Sequence, residues 1–296
     1  MTYQDQKKRY LDLINSKMEA LLPQEDLLQK ELINSMRYSL LDGGKRVRPM
    51  LTLAFCELCG GKAEDAVPFA CAIEMIHAYS LIHDDLPCMD NANMRRGKLS
   101  NHMVFSEDIA LLAGDGLLTL AFETALSPEA EELTGLERAA KAAHLLAQAA
   151  GLHGMVGGQA IDLMSEGKSI TLEELKHMDE LKTGALIRVA AKMGCVAAGA
   201  DDAQIQAADQ YAEAIGLSFQ IVDDILDVTS DTQVLGKPAG IDTINEKCTY
   251  VSLMGMEEAG KAVMELTDSA IESLQAFSGD TSYLVEFAKA LAARNK

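Results

Sequence analysis

Phe219-Gln220-Ile221-Val222-Asp223-Asp224-Ile225-Leu226-Asp227 places Gln220, Asp223, Asp224 and Asp227 at i, i+3, i+4 and i+7. That spacing stacks four oxygen-bearing side chains on one face of a helix, with Phe219, Val222 and Leu226 on the other. The same helical period recurs outward in both directions. Upstream, Leu11, Ile14, Met18 and Leu21 mark a helix ended by Pro23, and Leu28, Leu32, Met36 and Leu40 mark one stopped by Gly43-Gly44. Further helices are expected from Pro49 to Gly60, from Pro68 to Asp84, and over 107–126, 129–150, 152–165 and 201–228. Thr171 with Glu174 forms a capping box for another. Two more cover 249–277 and 282–294. No alternating strand and no linker rich in Gly, Pro or Ser stands out. The expectation is one all-α domain over 1–296, of about ten or more helices.

A second acidic stretch, His83-Asp84-Asp85-Leu86-Pro87-Cys88-Met89-Asp90, lies where a helix should break at Pro87, so that Asp90 can return toward Asp84 and Asp85. Neither stretch has a local basic partner: no Lys or Arg occurs between Ala63 and Met94, or between Met193 and Gly236. Clustered carboxylates that lose solvent are costly unless they are protonated or hold a cation. Hard oxygens without His or Cys favour Mg²⁺, which shares its shell readily with phosphate oxygens. Basic residues resume directly after each stretch, as Arg95-Arg96-Gly97-Lys98 and Gly236-Lys237. Another packet stands upstream at Gly43-Gly44-Lys45-Arg46-Val47-Arg48-Pro49. Carboxylate-bound Mg²⁺ facing Lys and Arg is a site for a phosphate or diphosphate.

The composition narrows the alternatives. Against 45 Asp and Glu stand 26 Lys and Arg, a formal charge of −19, which disfavours nucleic acid and anionic membranes. No apolar run is expected to span a bilayer, and the polar start MTYQDQKKRY is not expected to act as a signal peptide, so a cytoplasmic, uninserted protein is expected. The six cysteines fit a reducing compartment and read as small core residues, Cys56-x-x-Cys59 included. Gly167-Lys168-Ser169 lacks the upstream glycine of a P-loop, since that position is Asp162. There is no His-Glu-x-x-His and no Gly-x-Ser-x-Gly.

With these residues in place the chain resembles the short-chain trans-prenyl diphosphate synthases, most of all the bacterial farnesyl diphosphate synthases. The resemblance runs from about Leu40 to Tyr250 through GGKRVRP (43–49), MIHAYSLIHDDLPCMD (75–90), RRGK (95–98), LAGD (112–115), GGQAIDL (157–163), KTGALIR (182–188), FQIVDDILDV (219–228), LGK (235–237) and KCTY (247–250). It implies an isoprenoid-synthase helical bundle around a central cavity, usually as a homodimer. It implies that Asp84, Asp90 and Asp223 bind Mg²⁺ ions, with Asp85, Asp224 and Asp227 nearby. By the same resemblance Arg95, Lys182 and Lys237 hold the allylic diphosphate. Thr183 and Gln220 line the reacting centre, and with Lys182 they are the expected catalytic residues. Lys45, Arg48, His77 and Arg96 would seat isopentenyl diphosphate without metal. Gln159 and Asp162 look like the pair that backs the site, and Lys247 like a further basic residue at its mouth.

Product length is expected to depend on Tyr79 and Ser80, five and four residues before Asp84. At 1.5 Å per residue Tyr79 lies roughly 7 Å below the metal end and would floor the cavity, as in fifteen-carbon synthases. Asn91-Ala92-Asn93 stand where the family often has acidic residues, which is expected to weaken the orientation of Arg95 and Arg96. A geranylgeranyl synthase is the main rival reading, with a terpene cyclase or a non-catalytic partner subunit more remote.

Overall fold

The computed structural model describes residues 1–22, 27–229 and 248–294. The described chain is helical apart from one small hairpin. In order, the helices are α1 (Tyr3–Leu21), α2 (Lys30–Leu40), α3 (Val47–Leu58), α4 (Val67–Asp84), α5 (Asn101–Val104), α6 (Glu107–Ala125), α7 (Pro128–Thr134), α8 (Leu136–Ala150), α9 (Met155–Ser165), α10 (Leu172–Asp179), α11 (Ala185–Ala198) and α12 (Asp202–Thr229). After the undescribed 230–247 come α13 (Tyr250–Met254), α14 (Met256–Ser273) and α15 (Ser282–Ala292).

α4 is the axis of the bundle. Its residues are buried on nearly every side, as a helix that is apolar all round must be. It packs against α6 and α3, while α11 packs against α3 and α12, and α12 against α14. The main core draws on side chains from Tyr10 to Leu291, and a smaller cluster around Leu175, Ile221, Tyr250 and Val263 closes one end. The single charge on α4 inside this core, Glu74, is met by Arg46 at 2.6 Å, with both side chains about 3% exposed.

Three expectations need correction. The helices expected over 129–150 and 249–277 are each broken once near their start. Gly135 (φ 86°) and Gly255 (φ 85°) end one helix and begin the next in conformations closed to side chains with a Cβ. A strand pair is present, with Met94–Arg95 antiparallel to Lys98–Leu99. Two residues per strand are too few to show alternation in a sequence. Finally, two stretches, Ala63–Asp84 and Glu107–Thr134, are long and apolar enough to span a membrane. The first is 78% buried in the bundle, whereas the second is only 39% buried and leaves Leu111, Leu112 and Leu126 exposed.

Candidate active site

The last turn of α4 presents Asp84 and Asp85. Beyond Pro87 the chain folds back, so that the Asp90 amide donates to the Asp84 carbonyl at 2.9 Å and the Ala92 amide to that of Asp85 at 3.2 Å. Asp90 thus returns to Asp84, as the position of Pro87 suggested. The Asp84 carboxylate accepts a hydrogen bond from Gln159 Nε2 on α9. Burial pushes its pKa up, Asp90 adds to the rise, and Lys182 and Arg95 oppose it.

Asp85 is turned inward. Arg95 Nε reaches its two oxygens at 3.0 and 3.2 Å, and Nη2 reaches Oδ1 at 2.5 Å. Burial raises the Asp85 pKa and Arg95 counteracts it. Arg96 (φ 53°) and Gly97 (φ 78°) form the tight turn of the hairpin, with two successive positive φ angles. The turn sends the two arginines apart, Arg95 to Asp85 and Arg96 Nη1 to the Gly43 carbonyl at 3.3 Å. Arg95 is thus oriented by Asp85 and by the hairpin, which the Asn93 carbonyl closes by accepting from the Ser100 amide at 2.9 Å.

Lys182 and Thr183 sit on a π-helical turn, Glu180–Gly184, between α10 and α11. Gly158 lets α9 lie directly on this turn, since a Cβ there would stand 2.2 Å from the Lys182 nitrogen. Asp162, one turn after Gln159, takes Lys182 Nζ at 2.5 Å. Burial alone would lower the Lys182 pKa, but Asp162, Asp84 and Asp90 outweigh it and hold the ammonium charged. Gln159 and Asp162 thus serve one group each. A cavity of about 420 Å³ opens between Asp84, Gln159, Lys182 and Thr183 at one end and Tyr79, Ser80 and Leu186 along its walls. Tyr79 is buried, with its ring edge-on to His83 at 5.6 Å.

Arg48 and His77 line this cavity and also a second one of about 530 Å³, which gathers Lys45, Arg96, Asp223 and Arg294. Burial lowers the Arg48 pKa to about 10, opposed by Glu74. Burial, then Arg48, Arg96, Arg46 and Arg95, push His77 well below its usual value and leave the ring neutral at pH 7. Lys45 is lowered by burial and by Arg294, against Asp223. Arg46 and Glu74 also border the second cavity, where Arg46 is held by Glu74 and by the Leu40 carbonyl at 2.8 Å.

The second motif divides. Asp223 faces the cavity of the basic packet, bound by Arg294 Nη2 at 2.7 Å. Asp224 accepts the Tyr250 amide at 2.7 Å and so anchors α13 to α12. Asp227 is buried, and its Oδ1 has no hydrogen-bond partner among the described residues. Gln220 stands beside Asp179, whose carboxyl burial lifts to about 6 despite Tyr250, Lys182 and Gln220. Both residues also border a cavity of about 650 Å³ between α11, α12 and α14, whose lining includes none of the motif aspartates. Lys237 and Lys247 lie outside the described residues.

Among the described residues no three acidic, His or Cys side chains close a metal site by themselves. The donor set still fits Mg²⁺, which takes one or two carboxylates and completes its shell with substrate phosphates and water. Asp84 with Asp90, and the half-exposed Asp223, supply such donors, with the unpartnered oxygen of Asp227 buried one turn beyond. Sequence reasoning missed Glu74, Asp179 and Arg294. Glu74 carried a readable signal, a lone charge in an otherwise apolar helix. Arg294, about seventy residues after Asp223, carried none.

The polyprenyl synthetase family profile matches residues 29–287. The chain belongs to that family. It is a prenyltransferase with the isoprenoid-synthase fold. It is 45% identical over 272 residues to a heterodimeric geranylgeranyl pyrophosphate synthase large subunit of Arabidopsis thaliana, covering 91% of this chain and 73% of the relative. It is 47% identical over 266 residues to a geranylgeranyl pyrophosphate synthase of Catharanthus roseus, covering 89% and 73%. A solved FPP/GFPP synthase of Zymomonas mobilis superposes with a TM-score of 0.87 at 36% identity, covering 99% of this chain and 100% of that one. A geranyltransferase structure from Legionella pneumophila gives 0.84 at 31% identity, covering 99% and 98%.

Proposed function

We propose that this prenyltransferase joins an allylic diphosphate, dimethylallyl or geranyl, to isopentenyl diphosphate, and that its main product is farnesyl diphosphate. The observation that carries this reading is the shared wall. Arg48 and His77 border both a carboxylate-rimmed apolar cavity and a basic cavity. Such a pair of compartments seats two anions whose tails must meet.

In this reading Asp84, Asp90 and Asp223 hold Mg²⁺, which when bound neutralises charge building on the leaving diphosphate. Lys182 is kept charged by Asp162 and grips that diphosphate as the allylic C–O bond breaks, joined by Arg95 and by Lys237. Lys45, Arg48 and Arg96 hold isopentenyl diphosphate, and neutral His77 can donate a hydrogen bond without adding charge. Thr183 and Gln220 line the space where the allylic cation meets the double bond. The apolar walls keep water from the cation, and the close seating of the two partners supplies much of the rate.

Tyr79 supports a fifteen-carbon product because its bulky, buried ring lines the allylic cavity five residues before Asp84. The names of the relatives favour a second reading, a twenty-carbon geranylgeranyl product. Incubation with Mg²⁺, dimethylallyl diphosphate and labelled isopentenyl diphosphate, followed by product chromatography, separates the two, and a chelator control tests the metal. No prenyl product under those conditions would reject both readings. The exposed leucines of α6 support a homodimer, to be checked by light scattering. Six free cysteines support a cytoplasmic setting.

A further inference from the structure

Away from both cavities, the ends of α3 and α11 bring two sulfurs together. Cys59 caps the C-terminus of α3 and is partly exposed, while Cys195 on α11 is fully buried. Their Sγ atoms stand 3.6 Å apart. The two helices cannot drift from this contact. A Cβ on Gly194 would lie 2.2 Å from the Thr52 carbonyl oxygen, one on Gly61 would lie 3.0 Å from Ala198 Cβ, and Thr52 Oγ1 donates to the Ala190 carbonyl at 3.0 Å. Cys56, one turn earlier on α3, is committed elsewhere, with its thiol donating to the Lys62 carbonyl at 3.2 Å.

We propose that Cys59 and Cys195 are a thiol pair that reacts with a disulfide oxidant of the glutathione class and closes into an intrachain disulfide. A disulfide needs about 2.05 Å between sulfurs, so side-chain rotation and a small backbone adjustment must supply roughly 1.5 Å. Cys59 is the entry point, because only it is open to solvent and because contact with Cys195 lowers its pKa, while the same contact and burial raise that of Cys195. The Cys59 thiolate attacks one sulfur of oxidised glutathione and expels one glutathione thiolate. The Cys195 thiol then attacks Cys59 Sγ, and its proton passes to the second glutathione thiolate as that leaves. Two protein thiols are oxidised and one small disulfide is reduced to two thiols.

The bond would join two cysteines 136 positions apart in the chain, a loop long enough to restrict the unfolded chain strongly. It would also clamp together a helix whose first turn carries Arg48 and one that begins just after Lys182 and Thr183, at the ends remote from those residues.

The test is peptide mapping of the full chain after exposure to oxidised glutathione and alkylation of remaining thiols. The expected result is a Cys59–Cys195 linked peptide pair lacking two hydrogens, restored by dithiothreitol, with Tm raised by roughly 5 °C. Cys195→Ala should stop at a glutathione adduct on Cys59, and Cys59→Ser should leave Cys195 untouched. The proposal is overturned if the wild type carries glutathione on Cys59 with Cys195 still reduced, if only exposed Cys88 reacts, or if the linkage joins two chains.

Discussion

Arg294 closes on Asp223 at 2.7 Å while its guanidinium lies 3.8 Å above the ring of Phe219, four residues earlier on α12. Nη2 also donates to the Phe219 carbonyl at 2.8 Å, so one side chain ties the end of the chain to the second aspartate motif. A divalent ion approaching Asp223 meets a competing cation. Asp223 is 49% exposed, which limits the pair to roughly 0.5–1 kcal/mol, or about a 2–5-fold change in affinity. Arg294→Gln is therefore expected to lower the Mg²⁺ concentration for half-maximal turnover by that factor. It should also cost about 1 kcal/mol of stability through the lost stacking. A Mn²⁺ titration followed by electron paramagnetic resonance checks the first effect without turnover, and unchanged metal affinity would remove the competition argument.

Tyr79 lies in the wall of the allylic cavity one residue before Ser80, and its ring is held edge-on by His83. Tyr79→Ala removes the ring and deepens the apolar space without touching Asp84. Products should lengthen by at least one five-carbon unit over those of the wild type, with the initial rate of allylic diphosphate consumption little changed. Chromatography of dephosphorylated products reads this directly. An identical product profile in the variant would mean that another residue sets the depth.

The readable part of this molecule was the part written locally. Helical period and Pro87 were enough to place Asp90 back at Asp84, because a six-residue excursion after a proline has few ways to go. Gln159 and Asp162 were singled out by the family resemblance, and one helical turn puts them on the same face of α9. The sequence did not show that they divide their work between Asp84 and Lys182, since that depends on Gly158 admitting the π turn. Asp223, Asp224 and Asp227 read as one face, yet tertiary partners gave them three environments: Arg294, the Tyr250 amide and the interior. Residues distant in the chain supplied each of these, and periodicity carries no information about them.

Glu74 and Arg46 form an ion pair whose side chains are both about 3% exposed, and Arg46 Nε has no hydrogen-bond partner among the described residues. Removing one member leaves the other charged in the core. Glu74→Ala should destabilise the protein by about 3–5 kcal/mol, read as a lower urea midpoint. The double change Glu74→Leu with Arg46→Met should recover most of that loss, because apolar replacements of similar volume carry no desolvation cost. A double variant as unstable as Glu74→Ala would show that the pair acts through backbone placement, Arg46 being in the left-handed region at φ 50°.

Asp179 gives the fold a pH dependence of definite sign. Its carboxyl is lifted by burial to about 6, with Tyr250 and Lys182 pulling down and Asp162 pushing up. In the unfolded chain it titrates near 4. Between about pH 4 and pH 6 the folded state holds the extra proton, so stability falls as pH rises through that window and stays lower above it. Two units correspond to about 3 kcal/mol at most. Asp179→Asn is neutral at every pH and nearly the same size and shape. The variant should gain up to about 2–3 kcal/mol over the wild type at pH 8 and nothing from this term at pH 4. Urea titrations of both proteins at the two pH values measure the difference. A gain equal at both would mean that Asp179 does not change protonation on folding, and that a different group accounts for any acid-range slope.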